Sequence, residues 1–286
     1  MRARAPASSA NLGPGFDVLA VALAAYVEVS VYPAERLEVS SSGEGSDLPL
    51  DATHLAARVA TEVAGHDRLA IEVSSQVPLG RGMGSSAAVA VATAAAAGAP
   101  DPLAVSARMD GHPENAAAAV HGGLVVATIV DGRPLARSLP LDPELRFVLV
   151  IPDRSLPTAE ARAALPRMVS HADAGFNLGR LGVLIAGLAD HRQLVAEAGD
   201  DRLHQDARAA LFPEAPAILA GLIGAGALMS CWSGAGPSLL GVCTAGTAGE
   251  VAAAAGGLMG EWRVPGRVWS LEADRGGVTV SGDGDH

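Results

Sequence analysis

Residues 78–86 read Pro78-Leu79-Gly80-Arg81-Gly82-Met83-Gly84-Ser85-Ser86, and an Ala/Val run interrupted only by Thr93 follows them up to Ala97. Glycines at every second position predict a tight loop, and the apolar run predicts a buried helix that begins where the loop ends. The N–H groups of such a loop can point at one centre, where the helix N-terminus adds about half a positive charge. The stretch therefore predicts a phosphate site, although an ordinary glycine turn with a serine N-cap also fits it.

The chain lacks the features of the two commonest nucleotide-binding loops. All 20 of its basic residues are arginines, so the lysine of a Walker A loop or of a protein kinase is absent. A Rossmann fingerprint fits poorly, because Gly80-x-Gly82-x-Gly84 is not G-x-G-x-x-G and no well-placed acidic ribose ligand follows. A phosphate site in this chain must rely on backbone N–H groups, a few arginines and a metal ion.

The composition favours a well-packed protein without a nucleic-acid partner. Of the 286 residues, 49% are hydrophobic and 18% are charged, and the net charge is −11. A large core is therefore expected, and an acidic surface disfavours contact with nucleic-acid phosphates. The start of the chain does not resemble a signal peptide, no run predicts a membrane span, and Cys231 and Cys243 lack metal-site spacing. These features predict a cytoplasmic protein with no membrane partner.

The order of predicted elements is typical of an α+β fold. Strands are predicted within residues 1–40 and at 69–73, 122–130, 146–151, 239–243 and 268–272. Helices are predicted at 51–64, 85–97, 102–109, 203–211 and 215–223, and one helical stretch at Thr158–Gly199. Residues 40–47 are rich in serine and glycine and predict a loop. The polar end Ser281–His286 is predicted to fray.

Three separated motifs give the chain a specific resemblance to a known family. The stretch Pro78–Ala88 resembles the second motif of GHMP kinases, P-x-x-x-G-L-G-S-S-A-A, with Met83 in place of leucine. Residues Pro6–Asp17 are similar to the N-terminal motif of the homoserine kinase branch of that family. Ser233–Ser238 resembles the third, C-terminal glycine motif.

The resemblance implies both a fold and an activity. The fold is that of GHMP kinases, with an N-terminal ribosomal protein S5 domain 2-like half that binds ATP (residues 1–140) and a C-terminal ferredoxin-like half (residues 141–286). The activity is phosphorylation of the side-chain hydroxyl of L-homoserine by ATP and Mg²⁺, giving O-phospho-L-homoserine in threonine biosynthesis. The resemblance is also compatible with a homodimer, because members of the family often dimerise, but the sequence does not determine the oligomeric state.

Homoserine is a zwitterion, so its site needs a carboxylate for the ammonium and arginines for the carboxylate. By the resemblance, Asp17 takes the ammonium, and Arg162 and Arg208 hold the carboxylate. Asn11 and His112 line the hydroxyl end. Each arginine taken alone would more readily be interpreted as a solvated charge on a helix. The implied substrate-binding residues are Asn11, Asp17, His112, Thr158, Arg162 and Arg208. The implied catalytic residues are Asn11, Asn115 and Arg162.

The same resemblance implies an ATP site and a metal site. The implied ATP-binding residues are Pro78, Gly80, Arg81, Gly82, Met83, Gly84, Ser85, Ser86, His54 and Gly234. His54 stands where the family commonly has an asparagine that contacts adenine. Mg²⁺ is assigned to Ser85 and Asp110, of which Asp110 replaces a family glutamate and is one methylene shorter. The cation would bridge phosphate oxygens and neutralise their charge.

The absence of lysine also bears on how the hydroxyl is activated. Other GHMP kinases pair an aspartate base with a lysine, which this chain cannot do. The resemblance to the homoserine kinase branch implies direct in-line transfer without a lysine-assisted base, and this is physically reasonable because a loose transition state requires little activation of the nucleophile. Two alternatives stay open: a GHMP kinase acting on another hydroxylated metabolite that lacks the ammonium, and a catalytically silent relative that binds a ligand.

Overall fold

The computed structural model describes residues 1–282, apart from the side chain of Asp110, and it confirms the expected α+β class. The larger sheet joins strands from both ends of the chain in the order β11-β1-β2-β4-β3, and β5 pairs with both β2 and β6. Its strands are β1 (Arg2–Asn11), β2 (Gly15–Pro33), β3 (Glu38–Gly43), β4 (Leu69–Ser75), β5 (Leu124–Val130), β6 (Arg133–Leu139) and β11 (Thr279–Ser281).

Helices of the N-terminal half pack against this sheet. They are α1 (Leu55–Ala64), α2 (Ser85–Ala96), α3 (Pro102–Asp110) and α4 (Pro113–His121). In α2, 11 of the 12 residues are buried. Alanine suits such a position, because it loses no side-chain entropy in a helix and allows close approach to β1 and β2. The loop that precedes α2 is therefore attached to a rigid, fully packed element.

The smaller sheet is antiparallel and has the order β10-β7-β9-β8. Its strands are β7 (Leu145–Pro152), β8 (Met229–Trp232), β9 (Leu239–Thr244) and β10 (Gly266–Leu271). The helices of this half are α5 (Thr158–Ala163), α6 (His171–Ala189), α7 (Gln205–Ala209), α8 (Ala215–Gly224) and α9 (Ala248–Glu261). Since α5–α8 lie between β7 and β8, and α9 lies between β9 and β10, the chain follows a β-α-β-β-α-β path of the ferredoxin-like kind.

The predicted helical stretch Thr158–Gly199 is wrong as a single element. α5 ends before Pro166, whose ring removes a backbone donor and disfavours a helical conformation at the preceding residue. α6 begins after Ser170, whose hydroxyl accepts a hydrogen bond from its first turn. Beyond α6 the chain continues in short 3-10 turns at 191–193 and 196–199.

Other predicted boundaries also differ from the structure. β3 covers part of the predicted loop at 40–47, because parallel pairing with β4 satisfies its backbone groups. The first helix begins at Leu55 rather than at residue 51. The strands β6, β8 and β11 and the helices α4 and α9 were not predicted. Of the predicted frayed end, Ser281 belongs to β11, and residues 283–286 lie outside the described part of the chain.

The two halves are joined through packing and through the larger sheet. One cluster of buried side chains includes Val27 of β2, Phe147 of β7 and Leu184 of α6. β11 comes from the end of the chain and pairs with β1, at Ala3 opposite Val280. The division of the chain at residue 140 therefore stays a prediction. Within residues 1–282, no helix has the length and apolar character needed to cross a bilayer.

Candidate active site

The glycine-rich loop lies between the first and the third motif. Gly82 and Gly84 have φ values of +71° and +63°. A Cβ added at Gly84 would overlap the hydroxyl oxygen of Ser8, and one added at Gly82 would overlap the carbonyl oxygen of Ser233. The N–H of Ser8 also donates to the carbonyl oxygen of Met83 at 3.1 Å. Both glycines are required here, because the backbone is left-handed and its neighbours leave no room for a side chain.

Hydrogen bonds fix the third motif against the other two. The hydroxyl of Ser233 donates to the carbonyl oxygen of Gly82 at 2.7 Å. The N–H of Gly234 donates to the carbonyl oxygen of Ala10 at 3.0 Å. In return, Nδ2 of Asn11 donates to the carbonyl oxygen of Gly234 at 2.7 Å. Three segments that are far apart in sequence thus form one continuous wall.

Helix α2 begins at this wall without a side-chain cap. Gly84 is the N-cap residue and Ser85 is the first residue of the helix, so the alternative of a serine N-cap is wrong. Ser85, Ser86 and Ala87 line the cleft at that point. Because the N–H groups of a first helical turn have no partner within the helix, an anion in the cleft could accept from them.

The cleft has a volume of about 650 Å³ including space open to solvent, and most of the predicted site residues line it. The lining consists of Ala10, Asn11, Asp17, Gly80, Gly82, Met83, Gly84, Ser85, Ser86, Ala87, His112, Glu114, Asn115, Thr158, Arg162, Arg208, Gly234 and Ala235. Pro78, Arg81 and His54 are not part of this lining. The side chain of Asp110, the predicted metal ligand, lies outside the described part of the structure.

Asp17 and Arg162 form a two-pronged ion pair in the cleft. Nη1 and Nη2 of Arg162 donate to the two carboxylate oxygens of Asp17 at 2.9 and 3.0 Å. This hydrogen bonding raises the pKa of Arg162 above its ordinary value. Asp17 has a φ of +57°, and its N–H donates to Oδ1 of Asn11 at 2.9 Å. Asn11 therefore holds the carboxylate-bearing residue in an unfavourable backbone conformation.

Arg208 is the buried cation of the site, with only 2% of its surface exposed. Its Nη1 donates to the carbonyl oxygen of Gly234 at 3.0 Å and lies 2.9 Å from Nδ1 of His204. Its Nε is buried and has no hydrogen-bond partner within the described residues. Burial lowers the pKa of Arg208 to about 10. A buried guanidinium with an unused donor fits an anionic ligand.

Glu114 is a cleft carboxylate that the sequence analysis assigned to no site. It is 2% exposed, its Oε1 accepts a hydrogen bond from Nδ2 of Asn115 at 3.1 Å, and the same oxygen lies 3.5 Å from Nδ1 of His112. Oδ1 of Asn115 accepts from the hydroxyl of Ser8 at 2.8 Å. Ligand atoms of Asp17, His112 and Glu114 lie within 4.8 Å of one another. The sequence did contain one feature that could have identified Glu114, namely its position between two predicted site residues.

Arg81 and His54, both predicted to bind ATP, make structural contacts. Nε of Arg81 donates to the carbonyl oxygen of Pro152 at 2.9 Å, and its Nη1 donates to that of Leu79 at 2.9 Å. His54 caps α1, where its Nδ1 accepts from the N–H of Ala56 at 3.2 Å. The predicted contacts of both residues with a nucleotide stay predictions.

Comparison with known proteins agrees with this geometry. The family model for the GHMP kinases N terminal domain matches residues 52–123, and the one for the GHMP kinases C terminal matches residues 184–259. A homoserine kinase of Mycolicibacterium smegmatis is 40% identical to this chain over 82% of both proteins. The chain belongs to the GHMP kinases, within the homoserine kinase family. A homoserine kinase of Streptomyces coelicolor is 38% identical, over 90% of this chain and 88% of that protein.

Solved structures of GHMP kinases have the same fold. A homoserine kinase from Cytophaga hutchinsonii superposes with a TM-score of 0.86 at 26% identity, covering 98% of this chain and 97% of that one. A putative homoserine kinase from Listeria monocytogenes gives 0.82 at 25% identity, covering 99% of both chains. The mevalonate kinase of L. major, at 14% identity and a TM-score of 0.72 over 96% of both chains, shares the fold. The predicted GHMP kinase fold is confirmed.

Proposed function

We propose that this protein transfers the γ-phosphoryl group of ATP to the side-chain hydroxyl of L-homoserine, giving O-phospho-L-homoserine in threonine biosynthesis. The observation that carries the proposal is the ion pair of Asp17 with Arg162 in a cleft that also contains Arg208. One acidic and two basic side chains match the charges of an amino-acid zwitterion. When L-homoserine binds, its ammonium group would take the place of the Arg162 guanidinium beside Asp17. Arg162 and Arg208 would then both bind the carboxylate of L-homoserine.

The other end of the cleft supports phosphate binding. Left-handed Gly82 and Gly84 bring the backbone close to the cleft, and a Cβ at either position would close the gap to the neighbouring motif. The N-terminus of α2 supplies N–H groups without a lysine. Bound Mg²⁺ would neutralise charge on the phosphate oxygens, and we propose Ser85 and Asp110 as its ligands. Glu114 offers a further carboxylate on the same cleft.

For the chemical step we propose in-line transfer without a lysine-assisted base. The chain contains no lysine that could pair with an aspartate base. Asn11, Asn115 and Arg162 would act by fixing the acceptor hydroxyl relative to the phosphate. Because the transition state is loose, positioning and charge stabilisation supply most of the rate enhancement. The hydroxyl proton would leave to the transferred phosphoryl group.

A panel of acceptors in a coupled assay of ADP release tests the proposal. Purified protein with Mg-ATP is offered L-homoserine, mevalonate, shikimate and a sugar. Turnover should be clearly greatest with L-homoserine and should require Mg²⁺. If another acceptor is turned over and homoserine gives only background ADP, the substrate assignment is wrong. If no acceptor is turned over although ATP binds, the silent-relative alternative is correct.

Two further expectations concern location and assembly. A cytoplasmic location suits Cys231 and Cys243, which are buried and free rather than joined in a disulfide. A homodimer would cover apolar side chains that α6 leaves exposed, such as Leu178 and Val183. Sedimentation analysis of the purified chain distinguishes the dimer from a monomer.

A further inference from the structure

His204 lies behind the cleft wall, in contact with two parts of the substrate site. It immediately precedes α7 and is 1% exposed. Its Nε2 lies 2.9 Å from the carbonyl oxygen of Gly13, and its Nδ1 lies 2.9 Å from Nη1 of Arg208. Its ring stacks on Phe16, with centroids 5.1 Å apart and an angle of 26° between the planes. The imidazole therefore connects the loop of the first motif to the buried arginine.

Only one form of the imidazole satisfies both contacts. A guanidinium can only donate, so Nδ1 of His204 must accept from Arg208. A carbonyl oxygen can only accept, so Nε2 must carry a proton and donate to Gly13. The neutral Nε2–H tautomer meets both requirements, whereas an imidazolium would place an N–H against an N–H of Arg208. Burial also lowers the pKa of His204 below its ordinary value, and the charge of Arg208 lowers it further, while the carboxylates of Asp201 and Asp17 partly oppose this shift.

Asp201 does not compete for this proton in the described geometry. Its Oδ2 lies 3.6 Å from Nε2 of His204, beyond hydrogen-bond distance. Its carboxylate oxygens instead accept from Nδ2 of Asn177 and from the N–H groups of Leu203, His204 and Gln205 at 2.7–3.0 Å. These bonds hold the turn before α7 in place, and the backbone of His204 with it.

Within the described residues, the hydrogen bonds that hold Arg208 all come from Nη1, and its guanidinium carbon also lies 5.6 Å from the centroid of the Phe16 ring. Nη1 bonds to His204 and to Gly234, while Nε has no partner in the described structure. Removing His204 would leave the carbonyl oxygen of Gly234 as the remaining acceptor for that nitrogen and would let the guanidinium rotate. A small change of that kind matters at a binding site, because misplacement by about 1 Å can cost a hundredfold in rate.

We propose that His204 is a positioning residue, which fixes Arg208 for the acceptor's carboxylate and holds it at a set distance from the loop that carries Asp17. The link runs from Arg208 through the imidazole to Gly13, four residues before Asp17. The groups for the carboxylate and for the ammonium are thereby parts of one rigid unit. This inference rests on the proposed amino-acid acceptor.

Three substitutions separate the two hydrogen bonds of His204. In His204→Asn the amide oxygen can replace Nδ1 and accept from Arg208, whereas in His204→Gln the amide nitrogen can replace Nε2 and donate to Gly13. His204→Leu removes both. The exposed His121→Asn serves as a matched control. Since a hydrogen bond to a charged group is lost, kcat/KM for L-homoserine should fall roughly ten- to a hundredfold in His204→Leu, chiefly through KM. His204→Asn should retain the most activity, and KM for ATP should not change.

A second acceptor distinguishes positioning from general damage. 3-Aminopropan-1-ol is homoserine without its carboxylate, so its kcat/KM, or its inhibition constant where turnover is slow, should change much less than kcat/KM for L-homoserine in the variants, and least in His204→Gln, which can keep the bond to Gly13. Equal losses for both molecules would overturn the inference, as would a homoserine KM unchanged in His204→Leu. If the wild-type protein does not phosphorylate L-homoserine, the proposed function is wrong. That outcome is distinguishable from failure of the inference about His204, which is judged only from differences between wild type and the variants.

The tautomer can be read directly in the wild-type protein. A long-range ¹H–¹⁵N correlation spectrum of histidine-labelled protein should show a protonated Nε2 and an unprotonated Nδ1 for one residue, assigned by its loss in His204→Asn. That pattern should persist from pH 8 to pH 5.5. An imidazolium at pH 7, or a proton on Nδ1, would contradict the geometry.

Discussion

At the scale of single residues, Asp17 is the clearest test of the proposed chemistry. If it binds the ammonium, Asp17→Asn should chiefly raise KM for L-homoserine. A charge pair that loses one partner costs at least about 2 kcal/mol, which corresponds to roughly thirtyfold in KM. Some loss of kcat is also expected, because the acceptor hydroxyl would be positioned less accurately relative to the phosphate. Steady-state kinetics at saturating Mg-ATP measure both constants.

An acceptor without the amino group completes this test of Asp17. Wild-type enzyme should use 4-hydroxybutyrate poorly, and Asp17→Asn should narrow the preference for homoserine by about the same factor as the rise in KM. A variant that loses both acceptors equally through kcat would mean that Asp17 acts on the hydroxyl. The base-free mechanism would then have to be abandoned.

The metal site is also decided by single residues. Asp110→Asn should lower kcat strongly and raise the Mg²⁺ concentration needed for half-maximal rate, because the cation loses an anionic ligand. Glu114→Gln is the matched comparison, since Glu114 lines the cleft with Asp17 and His112. If the Asp110 variant keeps wild-type metal dependence and the Glu114 variant does not, Glu114 holds the ion.

Which residues face the cleft was largely predictable, but what each one bonds to was not. Asn11, Asp17, Arg162 and Arg208 were expected in one site and lie in one cleft. The Asp17–Arg162 pair was not expected, because a motif assigns a residue to a ligand and does not specify its partner without the ligand. His204 was not singled out, since a histidine four residues before an arginine becomes informative only once their contact is known.

At the scale of elements, the loop before α2 depends on the absence of a side chain. Gly84→Ala should raise the dissociation constant of ATP at least roughly tenfold, because the new Cβ overlaps Ser8 and must displace the backbone from the phosphates. Gly65→Ala is the control: φ is +73° there as well, but nothing lies within 4 Å of its Cβ. The double variant Ser8→Gly with Gly84→Ala should regain part of the affinity.

Calorimetric titration of ATP into each folded variant measures this effect. Circular dichroism first establishes that the variants are folded. If Gly84→Ala binds ATP as wild type does, the loop does not contact the nucleotide. If Gly65→Ala loses affinity for ATP to the same extent as Gly84→Ala, the loss is explained by backbone strain and not by the position of the loop before α2.

The elements themselves were predictable where local signals were strong. The glycine loop followed by an Ala/Val run predicted α2, and its burial is consistent with the absence of charged residues from this helix. α9 buries Ala248, Val251, Ala255 and Met259 on one face, but most of its residues are alanine or glycine, so few large apolar side chains mark that face in the sequence. β3 has serines at three of its six positions and is a strand because β4 pairs with it. Such pairing is a tertiary effect that local sequence does not contain.

At the scale of the whole molecule, the C-terminal segment makes hydrogen bonds with elements of the N-terminal half. The carbonyl oxygen of Asp274 accepts from the N–H of Gly123, and its side chain accepts from the hydroxyl of Tyr26 at 3.0 Å. β11 then pairs with β1, the strand that contains Ser8 and brings Asn11 to the cleft. The sequence of the last residues did not predict that β11 pairs with β1, because pairing between strands that are distant in sequence has no local signature.

Truncation tests whether the halves are independent. A chain ending at Gly277 lacks β11 but keeps Asp274, whereas a chain ending at Gly282 loses only residues 283–286 and serves as the control. Loss of the three residue pairs between β1 and β11 should lower the free energy of unfolding by about 2 kcal/mol and Tm by roughly 4–8 °C. The control should melt at the same temperature as the full chain. Because the buried cluster spans both sheets, calorimetry should show one transition in every case. Two transitions, of which truncation shifts only one, would instead establish residues 1–140 as a separate folding unit.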